Sequence, residues 1–272
     1  PVDIFCATPL SAKLNFLPHS NQIKTSTKVF YNTDVDTIVV LDSGDLRYAG
    51  VDKHLRDHHA TIINIDHHAT NEQFGHHNLV ITTASSTAEI MYYFFVEMKV
   101  AINQRMATSL LAGLITDTDN FTNSATTARA MTAASQLVRF GGNLNLINNK
   151  IIKNKTINSL RLWGTVLSRL EKNEKLDLAY TYITQKDLLD NNVDDTESDG
   201  IANFLNNLDE AKITLILKET KNGKIKGSFR TTHDGVDVTM LAKKFSGGGH
   251  KKAAGFTTDG TIKDILAKIL QG

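Results

Sequence analysis

Two short apolar runs, Thr37–Leu41 and Thr61–Ile65, stand out in the first half of the chain. Both are rich in β-branched residues, and a single polar residue, Asn64, interrupts the second. Runs of this length and composition suit strands that are buried on both faces, as in a parallel sheet. Each run ends in a polar cluster, Asp42–Asp45 and Asp66–His68. The pattern therefore predicts two parallel strands with acidic and imidazole side chains at their carboxyl ends.

Helical periodicity follows these strands. It predicts helices over Ser86–Lys99, Ala107–Ile115 and Thr126–Phe140, the last of them stopped by Gly141–Gly142. Strands alternating with helices predict an α/β layer fold. The chain starts at Pro1, directly before a predicted strand over Val2–Cys6, which indicates processing or missing upstream sequence.

An amphipathic stretch from about Thr156 to Asn173 predicts a helix that connects the first half of the chain to the second. Beyond it the pattern predicts a strand, then two strands joined at an Asn-Gly turn, then a short helix. These elements cover Ala179–Ile183, Ala211–Lys218, Lys224–Thr231 and Val238–Phe245. We therefore predict a parallel-sheet domain at 1–155, a linker helix at 156–174, and a smaller mixed α/β domain at 175–272.

Composition says little about the class of protein, its location or its partners. Hydrophobic residues make up 41% of the 272 residues, which is normal for a globular protein, and the single cysteine, Cys6, rules out an internal disulfide. With neither a run of 18 apolar residues nor a signal-peptide pattern, the expected location is the cytoplasm, without a membrane partner. Residues 211–272 carry 12 basic and 5 acidic residues, a net charge of +7. That portion either binds an anionic ligand or presents a solvated lysine-rich face.

The triplet Asp66–His67–His68 directly follows a predicted strand, and Asp42 follows the other. Asp117 follows a third apolar segment, Leu110–Ile115, which we place at the same edge. Ligands of open α/β sheets bind outside the carboxyl ends of the strands. Carboxylate and imidazole ligands suit manganese or another divalent first-row metal, whereas the lack of a thiolate cluster argues against structural zinc. The alternative is a helix N-cap followed by two surface histidines.

A second Asp-His-His triplet, Asp57–His59, precedes its strand and so lies at the wrong end for this site. We predict a loop without chemistry there.

A glycine-rich segment, Ser246–Gly249, precedes His250 and two lysines. Glycines let backbone N–H groups approach a ligand closely, and successive N–H groups can form an anion-binding concavity. Arg230, at the end of a predicted strand, can bind a phosphate through two N–H groups. The alternative is a flexible turn on a lysine-rich surface.

Together these residues resemble the DHH phosphoesterase family, in the branch that carries a DHHA1 domain. The resemblance covers nearly the whole chain and is closest to the bacterial oligoribonucleases (nanoRNases) that also dephosphorylate 3′-phosphoadenosine 5′-phosphate. The matching motifs are Leu41–Asp45, Ile65–His68, Ser85–Glu89, Gly113–Thr118, Phe229–Arg230, Gly247–His250 and Ala253–Gly255.

The resemblance implies a hydrolase that converts short oligoribonucleotides or dinucleotides to mononucleotides, and also 3′-phosphoadenosine 5′-phosphate. It implies two manganese ions, with Mg²⁺ or Co²⁺ as alternatives, and no stable DNA partner; a homodimer stays open. The resemblance implies that Asp42 bridges the metals and that His67 and Asp117 are metal ligands. It implies that Asp66 orients a histidine and that His68 sits near the scissile phosphate. The residues implied to hold the substrate are Arg230, Gly247, Gly248, Gly249 and His250.

One departure weakens the implied site. The family's first motif, a histidine followed by two closely spaced aspartates after the first strand, does not occur before Asp42. Asp42, His67 and Asp117 alone are few ligands for two metals. Either the sequence is a fragment of a longer protein, which we favour, or this form binds one metal or none. The departure motivates a second hypothesis, a nucleotide-binding or regulatory protein built on an impaired enzyme. A third hypothesis keeps the metals but changes the substrate to inorganic polyphosphate or pyrophosphate; Gly247–His250 argues against it, because the resembling pyrophosphatases carry a different C-terminal domain.

Overall fold

The computed structural model describes residues 2–152, 155–194, 198, 200–206 and 208–271. The chain divides into two compact units, Pro1–Asn154 and Lys155–Gly272. No helix in the described ranges is long and apolar enough to cross a membrane.

The first unit has five strands and five α-helices among its described residues. Their bounds are β1 Ile4–Phe5, β2 Ile23–Lys24, β3 Thr37–Leu41, α1 Asp52–Leu55, β4 Thr61–Asp66, β5 His77–Val80, α2 Thr87–Glu97, α3 Gln104–Asp117, α4 Ala128–Arg139 and α5 Leu144–Ile147. Short 3₁₀ segments cover Ala12–Leu14, Ser20–Gln22 and Thr27–Tyr31, and a π-helical turn covers Asn148–Ile152.

The predicted parallel sheet is confirmed. Strands β3, β4 and β5 form a three-stranded sheet in that order, and Thr37 pairs with Thr61 while Ile63 pairs with His77. A separate parallel pair joins β1 to β2. Since all three strands of the sheet run the same way, Leu41 and Asp66 end side by side at one edge.

The prediction that β3 is buried on both faces is wrong. Val39 and Leu41 are about half exposed, at 50% and 49%, whereas Ile38 and Val40 pack into a core around Leu55 and Ile62. In the described part of the chain, β3 is an edge strand with a neighbour on one side only. Strand β4 lies in the middle of the sheet and is more deeply buried.

The three helices that follow the sheet pack together through a second core that includes Leu111, Ile115 and Leu137. Each begins where a polar side chain accepts a hydrogen bond from a backbone N–H of the first turn. These capping residues are Ser86 for α2, Asn103 for α3 and Thr127 for α4. The sequence predicted all three helices. The sequence placed Asp117 just beyond the helical segment Ala107–Ile115, whereas in the structure Asp117 is the last residue of helix α3 itself.

The second unit has six strands and five helices among its described residues. Their bounds are α6 Ile157–Leu167, β6 Glu171–Asn173, β7 Leu178–Ile183, α7 Gln185–Asp190, α8 Ile201–Leu205, β8 Ile213–Glu219, β9 Ile225–Arg230, α9 Thr239–Lys243, β10 Gly248–His250, β11 Ala253–Thr258 and α10 Ile262–Leu270.

Its strands form one mixed sheet in the order β10-β11-β9-β8-β7-β6. Only β7 and β8 run parallel; the other neighbours are antiparallel. Successive side chains of a strand point to opposite faces, so Leu215 and Leu217 join one core with α9 and α10, while Ile216 joins another with α6, α7 and α8. This mixed α/β architecture matches the prediction for the C-terminal half.

The predicted connecting helix is shorter than the amphipathic pattern suggested. Helix α6 ends at Leu167, and the chain enters strand β6 at Glu171. Leu162 and Val166 are fully buried within the second unit's core. The apolar periodicity extended beyond the helix because Leu170 also packs against that core from the following turn.

Candidate metal centre

Asp42 is held directly beyond β3 by backbone and side-chain contacts. Its N–H donates to the Ile65 carbonyl at 3.0 Å, and its φ of +60° lies in the left-handed region, which aspartate tolerates better than most residues. The hydroxyl of Thr87 donates to Asp42 Oδ1 at 2.8 Å. The carboxylate is therefore fixed at the edge of the sheet although its side chain is half exposed.

Asp66, the last residue of β4, is fully buried. His68 Nδ1 donates to its Oδ1 at 2.7 Å, and Asn71 Nδ2 donates to its Oδ2 at 2.6 Å. Burial opposes the charge of this carboxyl, but these hydrogen bonds and that of the His67 N–H outweigh burial and lower the pKa of Asp66. With its proton on Nδ1, the neutral ring of His68 carries its lone pair on Nε2.

The His67 ring lies between two carboxylates. Its Nε2 is 3.5 Å from Asp42 Oδ1 and 3.7 Å from Asp117 Oδ2. Its Nδ1 is 3.4 Å from the Ala84 carbonyl, which only accepts, so in the neutral ring the proton sits on Nδ1 and Nε2 faces the carboxylates.

Asp117 reaches this cluster from the carboxyl end of α3. Burial and the nearby charge of Asp42 raise the pKa of Asp117 to about 6, against the opposing influence of His67 and His68. A carboxylate that is crowded by another carboxylate is stabilised by a cation between them.

These residues fit a divalent cation. One ligand atom from each of Asp42, Asp66, His67 and His68 lies within 4.8 Å of the others. Asp117 joins the group through its contact with His67. Carboxylate oxygens and imidazole nitrogens without a thiolate are the ligand set of first-row divalent ions and magnesium. The structure thus brings together all five residues predicted for the metal-binding edge.

The substrate-binding residues predicted in the second unit share one region of its sheet. Arg230 pairs with Ala253, which pairs with His250, so the three lie in one row across β9, β11 and β10 with side chains on the same face. Arg230 has no carboxylate partner among the described residues, and its guanidinium donates a hydrogen bond to the Phe229 carbonyl at 3.1 Å. Burial lowers the pKa of Arg230.

The glycine-rich segment is not the open anion-binding loop that the sequence predicted. Gly248–His250 forms strand β10, which returns through Lys251–Lys252 to pair with β11. A Cβ at Gly247 would lie 2.2 Å from the Gly255 carbonyl oxygen, and Gly249 has a φ of +141°. At least two of the glycines therefore serve the close approach of β10 to its neighbouring strand.

Two polar residues of the centre were not assigned from the sequence. Asn71 donates to Asp66 and to the Ser43 carbonyl, and it is bonded to buried Asn64. Thr87 lies within the conspicuous Ser85–Glu89 motif but had no role assigned to it. The signal for Thr87 was present as a motif, whereas nothing in the spacing marked Asn71.

Two other histidines of the first unit, His58 and His76, each accept a hydrogen bond from a backbone N–H. His58, in the second Asp-His-His triplet, accepts from the Ala60 N–H at 3.1 Å and lies 3.1 Å from the Phe30 carbonyl. It lines a cavity of about 400 Å³ near the start of β4, with Arg47, Arg56 and His76. This cavity shares no residue with the acidic cluster, which lies at the other end of β4.

Comparison with known proteins gives two family matches. Residues 2–114 match the DHH family, N-terminal domain, and residues 176–271 match the DHHA1 domain.

Several curated proteins are similar to the chain. A bifunctional oligoribonuclease and PAP phosphatase NrnA from Thermus thermophilus is 29% identical over 229 residues, which cover 84% of this chain and 67% of that protein. An uncharacterized protein, MG371, from Mycoplasma genitalium is 30% identical over 210 residues, covering 77% and 62%. The NrnA protein of Bacillus subtilis is 26% identical over 200 residues, covering 72% and 62%. The chain thus matches about two thirds or less of the length of these relatives.

Among solved structures, an exopolyphosphatase-related protein from Bacteroides fragilis superimposes with a TM-score of 0.92 at 23% identity. The match covers 99% of this chain and 82% of that one. At this identity it supports the fold alone.

Proposed function

Because the chain belongs to the DHH family and carries a DHHA1 domain, we propose that it is a phosphoesterase that hydrolyses short oligoribonucleotides or dinucleotides to mononucleotides. The observation that carries the proposal is the convergence of Asp42, His67 and Asp117 on one point beside the Asp66–His68 pair. The names of the NrnA relatives, which include both oligoribonuclease and PAP phosphatase, support 3′-phosphoadenosine 5′-phosphate as a second substrate.

We propose manganese as the ion, held by Asp42, His67 and Asp117, with magnesium and cobalt as the alternatives to test. When bound, such an ion lowers the pKa of a coordinated water and neutralises charge on a phosphate. Asp66 keeps the His68 ring in one orientation and one tautomer, as buried carboxylates do for histidines in other metal sites. His68 Nε2 is then the atom that moves a proton at the scissile phosphate.

Arg230 and His250 are the groups of the second unit that we propose to bind substrate phosphate. The Arg230 guanidinium is charged, half-buried and without an acidic partner in the described part of the chain, so an anion would complete its hydrogen bonding. The Gly247–Gly249 backbone stays part of the proposed substrate site, and it also shapes the strand that presents His250.

The experiment is manganese-dependent conversion of 5′-phosphorylated diadenylate to mononucleotide by the full chain. We expect His67→Ala to abolish turnover and His68→Ala to reduce kcat by about 10²–10⁴-fold, the usual contribution of general acid–base catalysis. His59→Ala is the matched control. His59 is exposed and is the third residue of the second triplet, as His68 is of the first, and the variant should retain full activity. Retained activity in both His67→Ala and His68→Ala would sink the site assignment.

The small number of proposed ligands, three for the two ions that the resemblance implies, motivates a second candidate, a nucleotide-binding or regulatory protein without turnover. That function predicts nucleotide affinity that survives chelation of the metal, with no product even after a first-motif segment is added upstream. Inorganic polyphosphate and pyrophosphate form the third arm of the same assay. Preferential hydrolysis of either would replace the oligonucleotide proposal.

A further inference from the structure

We propose that the segment Ala84–Glu89 positions the metal centre, and that Thr87 is the residue that sets the orientation of Asp42. The inference rests on the metal site of the proposed function, and it assigns a role to the Ser85–Glu89 motif, which that function leaves unexplained. It starts from a hydrogen bond of 2.8 Å in which Thr87 Oγ1 donates to Asp42 Oδ1 across 45 positions of sequence.

Thr87 and Asp42 differ sharply in their surroundings. Thr87 is buried, with 5% of its surface exposed, and it is the first residue of helix α2. The Asp42 side chain is 51% exposed and follows an edge strand, so little else in the described part of the chain restrains its rotation. The hydroxyl of a fixed residue thus holds one carboxylate oxygen before any cation arrives. Such preorganisation reduces the ordering that binding would otherwise require.

The same segment orients His67. The Ala84 carbonyl lies 3.4 Å from His67 Nδ1 and so directs Nε2 towards Asp42 and Asp117. Two of the three proposed metal ligands therefore contact one stretch of four residues, Ala84–Thr87.

This stretch is itself anchored. Ser86 Oγ accepts from the Glu89 N–H at 3.0 Å, and Glu89 Oε2 accepts from the Ser85 N–H at 2.8 Å, so the backbone turn is bonded from both ends. Glu89 is 1% exposed, and its other oxygen lies 3.4 Å from Arg129 Nε. The Arg129 guanidinium in turn packs 4.0 Å from the centre of the Tyr93 ring.

The third ligand is connected through helix packing. Helix α3, which ends at Asp117, approaches α2 so closely that a Cβ on Gly113 would lie 2.9 Å from the Ala88 Cβ. The segment Ala84–Glu89 therefore contacts Asp42 through Thr87 and His67 through Ala84, and it packs through Ala88 against α3, the helix that ends at Asp117.

The test measures manganese affinity by isothermal titration calorimetry on the full, metal-free chain. Thr87→Val removes the hydroxyl at nearly constant shape, and we expect it to weaken manganese binding by about 10–100-fold, as for other residues that orient metal ligands. Thr87→Ser retains the donor and should bind manganese almost as the unaltered chain does. In activity assays, Thr87→Val should raise the manganese concentration needed for half-maximal rate and leave the substrate KM unchanged at saturating manganese.

Thr181→Val is the matched control. Thr181 is also buried and donates its hydroxyl to an oxygen, that of Val166, but it lies in the second unit. It should leave manganese affinity unchanged. If Thr87→Val does not fold, as judged by circular dichroism and the melting temperature without metal, the pair Thr87→Ser and Thr87→Ala isolates the hydroxyl, because both variants lack the threonine γ-methyl and only serine keeps the hydroxyl.

Each outcome decides. Unchanged manganese affinity in folded Thr87→Val, or equal affinity in the Ser and Ala variants, overturns the positioning role. Suppose that Thr87→Val weakens manganese affinity but the unaltered chain hydrolyses no substrate. That result supports the positioning role of Thr87 and overturns only the proposed function. An unaltered chain that binds none of manganese, magnesium and cobalt overturns both.

Discussion

At the scale of single residues, Asp117 has a carboxyl group whose charged form the folded protein disfavours. Burial and the charge of Asp42 raise its pKa from 3.8 to about 6. Between these two values the folded state holds a proton that the unfolded state has released. The free energy of unfolding of the metal-free protein therefore includes a contribution that is present below about pH 4 and is lost as the pH rises through about 6.

Replacing Asp117 by asparagine tests this directly. Since asparagine carries no charge, the melting temperature of Asp117→Asn relative to the unaltered chain should rise as the pH increases from about 4 to above 6, in chelator. Manganese at neutral pH should reverse the order, because the unaltered chain gains stability by binding it and the variant gains less. Asp119→Asn, at an exposed residue two positions on, should track the unaltered chain at every pH. A difference that does not change with pH would refute the raised pKa.

The sequence could place Asp42, His67 and Asp117 in one site because each belongs to a motif or follows an apolar segment. It could not reveal the residues that hold them. Thr87 reaches Asp42 across 45 positions, and Asn71 reaches Asp66 by side-chain hydrogen bonds within a loop. Such contacts depend on the fold and leave no periodic pattern, so they became visible only with the structure.

At the scale of elements, β10 shows how the same residues can support two interpretations. Three glycines suggested a loop that binds an anion, yet two of them allow close packing of β10 on β11. Glycine composition indicates where the backbone approaches something closely but does not identify the partner. Helix α6 was likewise placed correctly at its start but too long, since Leu170 continues the apolar pattern after the helix ends.

Alanine substitution separates the glycines of this element. A Cβ at Gly247 would meet the Gly255 carbonyl at 2.2 Å and the Phe256 Cβ at 2.6 Å, whereas a Cβ at Gly248 would meet nothing within 4 Å. We expect Gly247→Ala to lower the free energy of unfolding of the second unit by about 1–3 kcal/mol, the usual effect of overpacking. Gly248→Ala, the matched control, should change it by less than about 0.5 kcal/mol. Equal urea midpoints for the two variants would contradict the strand pairing described for β10.

At the scale of the whole molecule, the question is where the second unit begins. The family match starts at residue 176, and the sequence placed the domain at 175–272 after a linker helix. Contacts place the start of the compact unit at Lys155. Helix α6 accounts for the difference, because Leu162 and Val166 are fully buried among residues of the second unit, and Thr181 donates a hydrogen bond to the Val166 carbonyl. A helix with this burial is part of the domain's core rather than a spacer.

Two fragments test that conclusion. Residues 155–272 contain the whole six-stranded sheet and both cores, so we expect this fragment to unfold in a single cooperative urea transition. Residues 175–272 lack α6 and β6, so only α7 and α8 still cover the face around Ile183 and Ile216. Burial like that of Leu162 and Val166 contributes about 2–5 kcal/mol for each large side chain, and the stability of a whole domain is only about 5–15 kcal/mol, so the shorter fragment should show no cooperative transition. In the longer fragment, Leu162→Ala should keep a cooperative transition but lower the free energy of unfolding by about 2–5 kcal/mol. If the two fragments unfold at the same urea concentration, α6 is a linker and the domain begins at residue 175.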